Sequence, residues 1–417
     1  MATASGVIGL PGARPAWRPN AAGWVVRLGV LAALFGFVLW SILGTSGLWA
    51  QRISLAIIYA IIGLSLNVVL GYTGQVSLGH HAFVGLSAFV SAYTITERNQ
   101  TFWFGLLVAI VVGGLSAGLL GLVALRIKGL YLALITLTYG FVAVNSLFEV
   151  PALTRGGAGM PAPRPAGFGS DNAFALLCLL CLAATLFVDW RLLRTKVGRA
   201  ILSVKHSEPV AASYAINLIF YKVFAFVLSG AFAGLAGALF AARNEIVVAT
   251  DFQFTVALLW VLMVVVGGLG SRIGVVIGSA FFALFPHLVT LSGTVEHFIE
   301  ETLGRNADEM SLVVGPALAL LTMIQFPGGI AEQISPITRW LGGQKFTMHP
   351  EGHKPKEHHG GRVLERLGLR RRDGATSEES DDAQPARSDE LQVTATVDAE
   401  ADEEEHTIRL ESKESSR

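Results

Sequence analysis

The sequence is poor in charge: 15% of its 417 residues are charged, whereas 52% are hydrophobic. A soluble domain carries roughly 25% charged residues, so this deficit excludes an ordinary water-soluble protein. The charge is also segregated, being sparse in residues 24–343 and dense in residues 344–417. We therefore predict a membrane domain of residues 24–343 between a cytoplasmic N-terminal segment of residues 1–23 and a tail of residues 344–417. Blocks of like charge predict that this tail is disordered.

Cysteine is nearly absent as well, since Cys178 and Cys181 are the only two. Their C-x-x-C spacing is typical of redox and metal motifs, but those motifs need an accessible site. Both cysteines lie in an apolar helix candidate, and no second Cys or His pair completes a zinc site. The pattern favours two small apolar helix residues, and it predicts neither a disulfide nor a metal site.

Nucleotide-binding and catalytic motifs are missing too. The sequence has no G-x-x-x-x-G-K-[ST] loop, so this chain cannot hydrolyse ATP by the P-loop route. It has no H-E-x-x-H motif, and we expect no catalytic residues, no cofactor held by this chain and no nucleic-acid partner. The function class that these absences favour is a permease whose energy comes from another subunit.

Carboxylates are scarce in the apolar runs. Glu97, Glu149, Asp189, Glu245 and Asp251 all fall at or beyond the ends of such runs. An ion-coupled secondary transporter usually carries an ionisable group inside the bilayer, so the pattern counts against that class. It does not exclude the class, because sodium sites can be built from backbone carbonyls at broken helices.

Long apolar runs dominate what is present. A membrane-spanning helix needs about 20 mostly apolar residues, and about ten such runs occur. The sequence therefore predicts an all-α, polytopic membrane protein with about ten transmembrane helices in the lipid bilayer. The approximate centres of the predicted spans are Phe35, Ile61, Leu86, Gly113, Leu137, Leu182, Leu235, Val261, Ser279 and Ala319.

Basic residues predict the orientation of these spans. Lys and Arg cluster before the first span, after the fourth and after the sixth, and cytoplasmic loops carry an excess of both. If the spans alternate, all three clusters face the cytoplasm when the N-terminus does. Both termini are then cytoplasmic, and the loop of residues 150–171 faces outward.

One glycine-rich stretch, residues 71–85 with the sequence GYTGQVSLGHHAFVG, lies at the end of an apolar run. Irregular backbone at membrane depth is tolerated where protein or a water-filled cavity shelters it. Two interpretations stay open: the polar groups of this stretch face a translocation path, or its glycines only allow tight packing. The candidates for the path are Gly71, Thr73, Gly74, Gln75, Ser77, Gly79 and His80.

The loop after the sixth predicted span is the longest patterned cytoplasmic loop. Pro209 suits the first turn of a helix, where its missing N–H costs nothing. A short helix beneath the membrane can fit a groove of a partner ATPase, or it can simply seal the helix bundle. The candidates for an ATPase-coupling loop are Glu208, Pro209, Ala211, Ala212, Ile216 and Asn217.

Residues 198–241 resemble the coupling loop and following span of branched-chain amino acid ABC transporter permeases. The resemblance includes Glu208, the Ile216-Asn217 and Tyr221-Lys222 pairs, and the run GAFAGLAGALFA. The glycine-rich stretch, LRIKGLYLALITLTYG, VVVGGLGSRIGVVIGSA and FPGGI resemble the same family in the same order. The M-type subunit is the closer match, and urea and short-amide permeases are close relatives. This chain departs from the family at Ala215, where glycine is usual, and at Pro209, where an aliphatic residue is usual.

The resemblance implies a permease subunit, not an enzyme, in the cell inner membrane. It implies inward transport of branched-chain or related hydrophobic amino acids by alternating access. The implied partners are a second homologous permease subunit, two P-loop ATPase subunits that hold ATP and Mg, and an extracytoplasmic solute-binding protein. The alternatives are a urea or short-amide ABC permease and, from a different class, an ion-coupled secondary transporter.

Overall fold

The computed structural model describes residues 39–44, 47–124, 129–155, 158–291 and 329–341, with the single positions 26, 29 and 36. Most of these residues lie in helices, and the strands among them form one short pair. The mostly helical architecture is confirmed for this part of the chain. The predicted segments of residues 1–23 and 344–417, and the span centres Phe35 and Ala319, lie outside the described residues.

From Gly47 to Thr154 the described residues form five helices, two of which continue in a wider helical turn. They are α1 (Gly47–Leu66), α2 (His80–Thr96), α3 (Phe102–Ala124), α4 (Leu130–Val142) and α5 (Pro151–Thr154). Helix α1 continues into the π-helical segment Asn67–Tyr72, and α4 continues into the π-helical segment Ala143–Leu147. Such π segments are rare and are frequent at functional sites.

The second half contributes seven further helices to the described part. They are α6 (Asp171–Arg194), α7 (Lys196–His206), α8 (Glu208–Ser213), α9 (Leu218–Asn244), α10 (Phe254–Gly267), α11 (Arg272–Leu291) and α12 (Ile330–Leu341). Three of them begin at a side-chain cap, because Ser170, Thr195 and Asn217 each accept a hydrogen bond from a backbone N–H three residues on. A cap satisfies one of the donors that the first helical turn leaves free.

A two-residue strand pair joins the loop after α5 to the end of α9. Strand β1 (Met160–Pro161) pairs antiparallel with β2 (Ile246–Val247), with Met160 opposite Val247. The hydroxyl of Thr96, at the end of α2, donates to the Pro161 carbonyl at 2.6 Å. The loop is therefore fastened to both α9 and α2.

Helix α9 lies at the centre of the bundle, packed against α1, α2 and α3. Its glycines bring the backbones into direct contact. A Cβ at Gly230 would overlap the carbonyl oxygen of Gly113, and one at Gly234 would overlap that of Ala109. Small residues at helix interfaces permit this close approach in membrane proteins. Cys178 and Cys181 are free and buried within α6, as expected for packed helix residues.

Four helical stretches in the described part are long and apolar enough to cross a membrane. They are Gly47–Tyr72, Phe102–Val123, Asp171–Arg194 and Leu218–Asn244. Three shorter apolar helices accompany them: Tyr131–Leu147, Phe254–Gly267 and Arg272–Phe285. Every predicted span centre that falls on described residues lies in a helix. The count of about ten spans stays a prediction.

Candidate functional site

The predicted coupling loop folds as the short helix α8 between α7 and α9. Pro209 lies in its first turn, which confirms the expectation from the sequence. The chain leaves α8 through Ala215, whose φ of 56° is left-handed. Asn217 then caps α9, since its side-chain oxygen accepts a hydrogen bond from the Phe220 N–H at 3.1 Å.

One side of α8 is open to its surroundings and the other is packed. Pro209 and Ala212 are exposed, and so are Val210 and Tyr214, whose exposed fractions are 55% and 77%. Ala211 faces inward and is buried. The sequence reasoning therefore found the helix but missed Val210 and Tyr214, the larger apolar groups on its free side.

An ion pair ties α8 to α9. The Lys222 Nζ lies 2.6 Å from the Glu208 Oε1, and the two side chains are 7% and 26% exposed. Removing one partner of a buried pair leaves an uncompensated charge, which is strongly destabilising. The position of α8 therefore depends on Glu208 and Lys222 together.

The glycine-rich stretch begins in the π-helical end of α1. The Gly71 carbonyl accepts a hydrogen bond from the Lys205 ammonium of α7 at 2.7 Å. The Asn67 side-chain oxygen accepts one from the Gly270 N–H at 2.8 Å. The π segment is thus bound both to α7 and to the turn between α10 and α11.

Five of the seven translocation-path candidates are buried within the chain: Gly71, Thr73, Ser77, Gly79 and His80. A Cβ at Gly79 would overlap the Thr136 carbonyl, so this glycine allows α2 to start against α4. The His80 Nε2 lies 2.7 Å from the Ser65 hydroxyl, which donates to the Ser229 carbonyl at 2.6 Å. His80 therefore joins a polar link between α1, α2 and α9.

Three of the seven path candidates lie beside the coupling loop. Thr73, Gly74 and Gln75 line a cleft of about 260 Å³. Its other lining residues are Val76, Gly129, Leu132, Val204, Lys205, His206, Ser207, Glu208 and Lys222. The structure thus brings together two sets of residues that the sequence identified separately. Two ammonium groups, a carboxylate and an amide make this cleft strongly polar.

Asp189 is a residue whose contacts the sequence reasoning missed. It is 0% exposed and lies where the apolar run of α6 ends, within a helix that continues to Arg194. The Tyr72 hydroxyl donates to its Oδ2 at 3.0 Å, and the Arg272 Nε lies 3.4 Å from the same oxygen. Asp189 therefore joins the ends of α1 and α6 to the start of α11. No group of three metal-ligating side chains occurs among the residues that the structure describes.

A second ionic cluster lies at the other end of the helices. Arg164 contacts Asp171 at 2.7 Å and Glu245 at 3.3 Å. Gln51 donates to both carboxylate oxygens of Asp171 at 3.2 Å, and the Arg243 Nε donates to the Gln51 carbonyl at 3.2 Å. These contacts connect α1, α6 and α9 with the loop that precedes α6.

Comparison with known proteins finds one family model over residues 48–323, described as the permease component of a branched-chain amino acid transport system. Two relatives are the high-affinity branched-chain amino acid transport system permease proteins LivM of Salmonella typhimurium and Escherichia coli K12. Each is 30% identical over 76% of this chain, and the match covers 78% and 77% of their lengths. A solved structure, PsaBC from Streptococcus pneumoniae in complex with Fab, shares 14% identity over 69% of this chain and 95% of that chain. Its TM-score is 0.36, which is too low to indicate a shared fold.

Proposed function

The chain belongs to the branched-chain amino acid transport permease family, and from this premise we propose that it is the membrane subunit of an ATP-driven importer. It moves branched-chain or related hydrophobic amino acids inward by alternating access. Two separate P-loop ATPase subunits bind ATP and Mg, because this chain has no P-loop of its own. A second, homologous permease chain completes the passage, and an extracytoplasmic solute-binding protein delivers the substrate.

The exposed side of α8 is the observation that carries this proposal. A short helix with Pro209, Val210, Ala212 and Tyr214 on its free side offers a compact apolar surface to a groove of an ATPase. The Glu208–Lys222 ion pair ties that surface to α9, a long central helix whose first turn is capped by Asn217. Because α8 is attached to α9, a movement of the docked ATPase would displace α9 and the helices packed against it.

The cleft beside α8 fits the cytoplasmic end of the passage. Thr73, Gly74 and Gln75 present side-chain and backbone polar groups there, next to Lys205 and Glu208. Such groups hydrogen-bond a zwitterionic solute through its charged ends. The candidates that do not line the cleft, Gly71, Ser77, Gly79 and His80, are buried behind it and hold the wall of the passage in place.

The outward loop of residues 150–171 is the proposed contact for the solute-binding protein. Strand pairing with Ile246–Val247 and the Arg164–Asp171 contact fasten this loop to the bundle. A loop held in this way offers a defined surface to a soluble partner. We place this end outside the inner membrane and both termini in the cytoplasm.

Mild-detergent purification of the tagged chain from its native cells, followed by reconstitution in liposomes, tests the proposal. We expect two ATPase subunits and a second permease chain to co-purify. We also expect leucine uptake that requires ATP and the binding protein and is insensitive to proton and sodium ionophores. Uptake that follows an ion gradient without ATP would refute the ATP-driven mechanism, and uptake of urea or acetamide but not leucine would refute the proposed substrate.

A further inference from the structure

The exposed face of α4 and of the π segment after it differs from the exposed apolar faces of α3 and α6. Its exposed residues recur at helical spacing from Tyr131 to Asn145 and alternate between polar and apolar side chains. The face consists of Tyr131, Leu134, Thr138, Phe141, Val142 and Asn145, and we name it the α4 face. Tyr131, Thr138 and Asn145 follow one another at intervals of seven residues. Because seven residues of a helix fall only roughly 20° short of two full turns, the three side chains lie on nearly the same side of the helix.

The corresponding face of α3 has no polar side chain. Its exposed residues are Leu107, Val111, Leu115, Leu119 and Leu122, each at least half exposed. Helix α6 likewise exposes Leu176, Leu180 and Phe187. Apolar side chains of this kind suit contact with lipid tails, whereas polar groups facing lipid must be satisfied inside their own helix.

Asn145 and Thr138 satisfy only part of their hydrogen-bonding capacity within the helix. The Asn145 amide donates to the Phe141 carbonyl at 2.8 Å, and the Thr138 hydroxyl donates to the Leu134 carbonyl at 3.0 Å. The Asn145 side-chain oxygen accepts no hydrogen bond from the residues that the structure describes. An amide is costly to expose to hydrocarbon, so polar side chains in spanning helices usually face a bundle interior or a water-filled cavity.

The α4 face begins next to the polar cleft, because Tyr131 lies between two residues that line it. Gly129 and Leu132, at the start of α4, line that cleft together with Gln75 and Glu208. Thr138 lies near the middle of the apolar stretch Tyr131–Leu147, and Asn145 lies near its other end. The polar side chains of the α4 face therefore run along this stretch and end, at Tyr131, beside the cleft.

We propose that the α4 face is the wall of a water-filled solute passage, closed on its other side by the second permease chain. This inference rests on the proposed function and assigns residues to its passage. The alternation suits an amino acid with an apolar side chain. Leu134 and Phe141 give the side chain apolar contact, while Tyr131, Thr138 and Asn145 hydrogen-bond its charged ends or the water around them.

Cysteine accessibility in the assembled transporter tests this assignment. The background carries Cys178→Ala and Cys181→Ala, and Thr138→Cys is compared with Leu115→Cys, which is exposed near the middle of the α3 face. Because the thiolate is the reacting form and apolar surroundings suppress it, we expect a cationic methanethiosulfonate reagent to modify Thr138→Cys at least about tenfold faster. The same modification should block ATP-dependent uptake through Thr138→Cys and leave Leu115→Cys active.

If both cysteines were modified equally slowly and ATP-dependent uptake were intact, the assignment of the α4 face to the passage would be refuted. The proposed function would not be affected by that result. Fast modification of Thr138→Cys in a transporter whose uptake does not need ATP would support the passage and refute the ATP-driven mechanism.

An Asn145→Leu variant gives a second test that does not depend on thiol chemistry. In a lipid-facing position the change would stabilise the chain and leave uptake unchanged, because it removes an amide from hydrocarbon. In a passage it removes a hydrogen-bonding group and slows uptake, which we expect to fall severalfold at unchanged abundance. Leu119→Asn is the matched reverse change, and we expect it to lower abundance. Normal uptake by Asn145→Leu would contradict the inference.

Discussion

Ala215 adopts a left-handed backbone conformation, with a φ of 56°, at the point where the chain leaves α8. An L residue with a Cβ is disfavoured there by roughly 1–2 kcal/mol, whereas glycine takes this conformation freely. The resembled family usually has glycine at this position. Alanine at position 215 is therefore strained. The loop nevertheless adopts the left-handed conformation that glycine would favour there.

We accordingly expect Ala215→Gly to stabilise the protein by about 1 kcal/mol, because it removes the Cβ from a left-handed position. Ala212→Gly is the matched control, since Ala212 is an exposed residue inside α8 and glycine there costs about 1 kcal/mol of helix stability. Thermal unfolding of the purified complex measures both changes. A lower melting temperature for Ala215→Gly would contradict the strain argument.

The Glu208–Lys222 ion pair allows a second prediction at the residue scale. A double-mutant cycle with Glu208→Ala and Lys222→Ala should give an interaction free energy of about 1–3 kcal/mol, because the Lys222 ammonium is buried. The exposed pair Arg155–Glu97, at the same 2.6 Å, is the control. Its cycle should give about 0–1 kcal/mol, since solvent screens exposed charges.

Uptake provides the functional measure of the same pair. Glu208→Lys places two ammonium groups together and should abolish uptake while the chain still inserts in the membrane. Adding Lys222→Glu restores the opposite charges and should recover part of the uptake. Normal uptake by an abundant Glu208→Lys variant would count against the coupling role of α8.

The sequence predicted the features that depend on local preference, and it missed those that depend on contacts between distant helices. Pro209 at the start of α8 and the helices at the predicted span centres depend on local preference and hydrophobicity, which are readable along the chain. The Asp189–Tyr72 hydrogen bond joins residues 117 apart, and no local signal indicates it. The seven-residue spacing of Thr138 and Asn145 was visible in the sequence, but its meaning depended on which side of α4 is exposed.

Two adjacent glycines of α3 provide a test of the packing between α3 and α9. A Cβ at Gly113 would overlap the Gly230 carbonyl and lie 2.8 Å from the Ser87 hydroxyl oxygen. A Cβ at Gly114 would lie 3.3 Å from the Val227 carbonyl, which a small shift accommodates. We therefore expect Gly113→Ala to lower both melting temperature and abundance, and Gly114→Ala to change them little. Similar effects of the two substitutions would argue against direct backbone contact of the helices.

The junction of α1, α6 and α11 at Asp189 supports a further prediction. Tyr72→Phe removes the hydroxyl that donates to the buried carboxylate and should cost about 1–3 kcal/mol, because a buried acceptor is left under-satisfied. Tyr221→Phe, in α9, is the control, since the Tyr221 hydroxyl makes no hydrogen bond to the described residues. Thermal unfolding distinguishes the two. Equal melting temperatures would indicate that Arg272 alone satisfies Asp189.

At the scale of the whole molecule, a different cluster of polar residues lies at each end of the long helices. Gln51, Asp171 and Arg243 meet at one end. Tyr72, Asp189 and the polar cleft lie toward the other. The 24 residues of α6 reach about 36 Å at 1.5 Å per residue, which exceeds the hydrocarbon thickness of a bilayer. A helix of this length is long enough to place its two ends on opposite sides of a membrane.

This separation makes the predicted orientation testable with two cysteines. In the background that carries Cys178→Ala and Cys181→Ala, Ile246→Cys marks the end with β2, and Val210→Cys marks α8. Both native residues are exposed, by 51% and 55%. Because basic loops stay in the cytoplasm, we expect an impermeant maleimide to label Ile246→Cys in intact spheroplasts and Val210→Cys only after permeabilisation. The reverse result would put α8 outside, where no ATPase can reach it, and would refute both the orientation and the coupling role of that helix.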